Sequence, residues 1–127
     1  MLPSLAIALM FSAPHAGRPV ARSARVELAR KWVSNWETIV AKDTTAVAGA
    51  SAAVKSDQAA CDASSAALHK AERTGDARRS AHFLSLEHSQ AELLARHTSE
   101  LRHRQAALAR DRFGLRRAHR ALRDLES

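Results

Sequence analysis

From Val26 onward an apolar side chain recurs at every seventh position, through Val33, Val40, Val47, Val54 and Cys61 to Leu68. Three residues after each comes a second, smaller set: Ala29, Trp36, Asp43, Ala50, Asp57, Ser64 and Ala71. The first series therefore reads as position a of a heptad and the second as position d. Further along, Leu94, Leu101, Leu108, Leu115 and Leu122 repeat at the same interval. The two ladders are out of phase, because the 26 residues from Leu68 to Leu94 are not a multiple of seven. One uninterrupted helix cannot carry both on one face. Between them lies "ERTGDARR", where Gly75 can take the left-handed conformation that ends a helix and Asp76 can cap the next one. The pattern predicts two helices, about 24–73 and 77–126, with a turn at Thr74–Asp76.

Nothing in the composition breaks those helices, since all three prolines fall at or before Pro19. Two arms of about fifty residues joined by one tight turn predict an all-α fold, an extended antiparallel two-helix coiled-coil hairpin roughly 75 Å long at 1.5 Å per residue. In such a hairpin facing residues have a constant sum of positions. A sum of 151 sets Ala29 opposite Leu122, Trp36 opposite Leu115, Asp43 opposite Leu108, Ala50 opposite Leu101 and Asp57 opposite Leu94. The valine series then meets Leu125, Ala118, Asp111, Arg104, His97, Gln90 and Phe83. The seam is expected to consist of Val26, Val33, Trp36, Val40, Val47, Val54, Cys61, Leu68, Leu94, Leu101, Leu108, Leu115 and Leu122. Gly114 gains a role in this register, making room for Trp36, whereas Gly49 gains none. Polar layers are expected to pair across the seam or to sit at its edge, with Asp43–Arg104 and Asp57–His97 as examples.

Residues 1–23 read differently. "MLPSLAIALMF" is an apolar run shorter than the roughly 20 residues a membrane span takes, so stable membrane insertion is not expected. It resembles the apolar part of a signal peptide but has no Lys or Arg before it, and the acid-free residues 1–26 hold Arg18, Arg22 and Arg25, as transit peptides do. Signal, transit peptide and flexible leader all stay open, and a cytoplasmic location is favoured over a secreted, periplasmic or mitochondrial one. The chain thus divides into a leader, 1–23, and a helical hairpin, 24–127.

Charge adds one candidate face. The chain carries 20 Lys and Arg against 13 Asp and Glu, and from Arg102 to Arg123 there are eight arginines and the single acid Asp111. Arg102, Arg110, Arg112, Arg116, Arg117, Arg120 and Arg123 are the candidate partner-binding or phosphate-binding face, with a solvated helix surface as the plain alternative. A sequence-reading zipper is not expected: residues 71–93, where its basic region would lie, hold only Arg73, Arg78 and Arg79 beside four acids. Non-specific nucleic-acid binding remains the alternative function, since phosphate neutralisation needs only a charged stripe.

Catalytic chemistry is absent from the pattern. Cys61 is the only cysteine, and no two of the seven histidines are three or four residues apart, so adjacent helical turns cannot share a metal ion. No phosphate loop or nucleophile motif is present, and neither a cofactor nor a small-molecule substrate is expected. The expectation is a non-enzymatic coiled-coil interaction protein, a structural subunit, adaptor or chaperone. A two-helix seam with so many polar layers buries little, and Trp32, Leu84, Leu86, Leu93 and Phe113 beside it would suit a second hairpin or a partner's groove, so self-association or a protein partner is expected.

Equal arms and Arg/Ala-rich heptads over residues 24–126 make the chain similar in outline to the small helical-hairpin proteins of type III and flagellar export. That resemblance implies a stalk-like hairpin bound to an export ATPase. It includes no specific motif, so no functional residue is carried over, and the apolar leader departs from the pattern.

Overall fold

The computed structural model describes residues 21–127, so the leader readings over residues 1–20 lie outside the described residues. Two long helices pack against each other as an all-α hairpin: α1, Arg22–Thr74, and α2, Ala77–Glu126. Among the described residues there are no strands.

Gly75 makes the turn, at φ 72°, a conformation in which a Cβ would crowd the backbone. Its N–H donates to the Glu72 carbonyl at 3.2 Å and the Asp76 N–H to the Ala71 carbonyl at 3.1 Å. This crossed pair satisfies the orphan carbonyls at the end of α1. Asp76 then serves the next helix, its Oδ1 accepting from the Arg79 N–H at 3.0 Å, so one residue closes one helix and caps the other. Thr74, expected in the turn, belongs instead to α1. Its hydroxyl donates back to the Lys70 and Ala71 carbonyls, and the chain leaves the helix only at the glycine.

The start of α1 also differs from expectation, lying at Arg22 rather than 24 and taking two residues from the leader. Ala21 offers no capping side chain, and its carbonyl accepts from the Ala24 and Arg25 N–H groups. Arg22 holds this first turn from across the hairpin, donating to the Leu125 carbonyl at 2.9 Å and the Ser127 carbonyl at 3.0 Å. A cation on the last carbonyls of α2 also complements that helix's dipole.

The hairpin divides into two compact units. The turn unit comprises Lys42–Ala109; the terminal unit joins the described residues up to Ala41 with Arg110–Ser127. In the turn unit Leu68, Ala71 and Leu108 are buried, as is Ser64 in the seam. Its polar layers bridge the two helices: Asp57 pairs with His97, Ser64 donates to Gln90, and Ser65 donates to Glu87 at 2.8 Å. Arg104, placed opposite Val47 by the heptad count, is exposed. It turns along its own helix to Glu100 at 2.8 Å, the edge position that the long guanidinium reaches most easily.

In the terminal unit Ala29, Val33 and Ala118 are buried, together with the carboxylate of Asp111, which Arg110 meets at 3.3 Å. Trp36 lies against Gly114 so closely that a Cβ built there would fall 2.7 Å from the indole Cη2. The indole Nε1 has no hydrogen-bond partner, so packing alone seats it.

Candidate interaction faces

All thirteen expected seam residues are buried or half-buried: Val26, Val33, Trp36, Val40, Val47, Val54, Cys61, Leu68, Leu94, Leu101, Leu108, Leu115 and Leu122. The core they form is thin. Among the described residues no large side chain is fully buried, and three of the six buried apolar residues are alanines. Burial of apolar area is the main source of helix-pair stability, so the two helices leave part of that stabilisation unrealised.

The two sides of the seam differ in chemistry. Beside each a/d stripe a heptad has two flanks, and in an antiparallel pair g packs beside g and e beside e. In the turn unit the e flank of α1 is Thr44, Ser51, Gln58, Ser65 and Glu72, all polar. Its g flank is Ala46, Ala53, Ala60 and Ala67, all half-buried. Across from these, the g flank of α2 carries Leu86 and Leu93, each 37% exposed, with the exposed Glu100 and half-buried Ala107. The Asp57–His97 and Ser64–Gln90 contacts bracket Ala60 on one helix and Leu93 on the other, which sets these two at one height. One side of the turn unit is therefore an open apolar flank with a row of alanines along one helix and leucines along the other.

The terminal unit repeats the distinction. Its g flank holds Trp32, Ile39, Gly114 and Ala121, all half-buried, while its e flank carries the Arg30–Glu126 pair at 3.2 Å and His119–Glu37 at 4.0 Å. The g column was in view in the sequence, but a seam read only at a and d passes over it.

The arginines lie elsewhere. Arg102, in the turn unit, is exposed, as are Arg110, Arg112, Arg116, Arg117, Arg120 and Arg123 in the terminal unit. Counted over the described residues, the terminal unit has ten Lys and Arg against five acids, net +5; the turn unit has nine against eight, net +1. Phe113, expected beside the seam, instead stands among the arginines on the outer face of α2. It is 56% exposed, with the Arg116 guanidinium 5.8 Å from its ring centre. Phe113, Arg116, Arg117, His119, Arg120 and Arg123 line a shallow hollow on this face.

Among the described residues no group of three or more His, Cys, Asp or Glu is placed to hold a metal ion. No helix among them is long and apolar enough to cross a membrane. His15 lies outside the described residues. Comparison with models of protein families, with curated proteins and with solved structures finds no match.

Proposed function

We propose that this chain is a non-enzymatic interaction module, a structural or adaptor subunit that works by packing helix on helix, and that its first partner is a second copy of itself. The supporting observation is the apolar flank of the turn unit. Ala46, Ala53, Ala60 and Ala67 at g of α1 with Leu86, Leu93 and Ala107 at g of α2 add a third, mostly apolar column beside the partly polar a/d seam, approaching the three-in-seven stripe of a bundle helix.

A second copy fits this flank by its own geometry. A two-fold axis parallel to the helices brings α2 of each copy over α1 of the other, antiparallel, with the turns at the same end. Residues at equal height then face each other, so each Leu93 covers the other copy's Ala60 and each Leu86 its Ala67. Large side chains meet small ones, as dense packing requires, and the contact is self-complementary as a two-fold interface must be. The product is a four-helix bundle.

Light scattering coupled to size-exclusion chromatography tests this directly. The expected result is twice the chain mass at micromolar concentration, with a Tm that rises with protein concentration. Ala60→Glu or Leu93→Glu, on the open flank, should weaken association tenfold or more. Leu84→Glu, on the opposite (e) flank of α2, should leave it unchanged. A wild-type chain that stays monomeric at about 100 μM, or equal effects of Leu84→Glu and Leu93→Glu, would exclude this mode of association.

A further inference from the structure

We propose that the outer face of α2 from Arg110 to Arg123 binds single-stranded nucleic acid, its arginines neutralising phosphates and the Phe113 ring stacking on an unpaired base. This rests on a different surface from the apolar flank and stands independently of it.

Between Arg112 and Arg123 there is no acid. Asp111, inside the cluster's span, is buried in the seam and met by Arg110 at 3.3 Å, and the exposed Asp124 follows Arg123 directly. Among the described residues, Arg112, Arg117, Arg120 and Arg123 form no ion pair, whereas Arg30, Arg79 and Arg104 each have a carboxylate within reach. Arg112, Arg117, Arg120 and Arg123 are thus guanidinium groups without an ion pair along about 16 Å of helix, while Arg110 is met by Asp111. Such a row attracts a polyanion, and each phosphate it neutralises releases counterions.

Phe113 decides among the polyanions. A bilayer surface needs a broad apolar face to bury, and apart from Phe113 the apolar residues of this stretch, Leu115, Ala118, Ala121 and Leu122, are already buried or half-buried. An acidic helix would answer the guanidinium groups but has no flat surface for an aromatic ring. A duplex supplies phosphates but hides the faces of its bases in its own stack. A single strand supplies both, since unpaired bases stack on exposed aromatic rings while the backbone follows the positive groove. The Arg116 guanidinium lies over the ring at 5.8 Å, a cation–π contact that joins Phe113 to the arginine row.

The test uses the full chain and a fluorescein-labelled 20-nucleotide oligothymidylate, with anisotropy read over a series of KCl concentrations. Binding at low salt is expected, with log K falling linearly against log salt. The triple variant Arg117→Gln, Arg120→Gln, Arg123→Gln should flatten that slope by about 2, from about 0.7 for each single-strand phosphate that is no longer neutralised. Phe113→Ala should weaken binding about fivefold or more and leave the slope unchanged. A charge-matched variant in the turn unit, Lys55→Gln, Lys70→Gln, Arg73→Gln, should retain wild-type affinity and slope. Circular dichroism of each variant separates loss of binding from loss of helix. The proposal is overturned by absence of binding at low salt, by equal losses in the two triple variants, by a duplex that binds as tightly as the single strand, or by vesicles containing phosphatidylserine that bind where the oligonucleotide does not.

Discussion

Gly49 and Gly114 both sit in the interior of a helix, yet their surroundings give them opposite meanings. Nothing lies within 4 Å of a Cβ built on Gly49, so Gly49→Ala should raise stability by about 0.5–1 kcal/mol through backbone entropy alone. On Gly114 the same methyl meets three indole carbons of Trp36 at 2.7 to 2.9 Å. Overpacking of that kind outweighs the helix propensity gained, and Gly114→Ala should lower stability by up to about 2 kcal/mol. Thermal melts of the two variants should move in opposite directions, and a Tm gain in both would mean that Trp36 does not press on Gly114. The same logic applies to the Asp57–His97 layer. Asp57 has a side chain only 13% exposed, so His97→Leu strands a carboxylate and should cost about 1–3 kcal/mol, whereas replacing both by leucine should recover that loss or more. Chemical denaturation of the single and double variants measures the difference.

At the scale of elements, the two ladders and the turn were legible because each is a local statement. A period of seven needs only the helix, and a glycine followed by aspartate needs only the chain's own backbone geometry. The beginning of α1 was not legible, because no capping side chain marks it. Arg22 is held by carbonyls of Leu125 and Ser127, about a hundred residues away in sequence and adjacent only once the hairpin has closed. Which of the two Arg104 would do, pair across the seam or sit at its edge, was not legible for a related reason: heptad counting assigns a position, but a long charged side chain at the edge of a seam follows a nearby carboxylate, here Glu100 on its own helix. The turn itself offers a sharp test. Gly75→Ala forces a Cβ into the left-handed region, and Asp76→Ala removes the acceptor of the Arg79 N–H; each should destabilise the hairpin by about 1 kcal/mol while leaving its helical circular dichroism at low temperature intact. A variant of either kind that melts like wild type would mean that the turn contributes nothing beyond connectivity.

For the molecule as a whole, the open flank and the arginine face follow from one arrangement. Pairing the valine ladder with the leucine ladder of the same chain determines which side chains are left outside. Ala46, Ala53, Ala60 and Ala67 with Leu86 and Leu93 remain on one flank, and the arginines remain on the outer surface of α2. Were the ladders instead to pair between two chains as parallel, near-continuous helices, neither face would exist in this form. The pairing is tested by replacing Ser64 and Gln90, whose side chains meet across the seam, with cysteine in a Cys61→Ser background and adding a short bismaleimide. The hairpin predicts a cross-link within one chain, giving a product of monomer mass whose yield does not change on hundredfold dilution. Cross-linked product found only as covalent dimers, falling away on dilution, would contradict it.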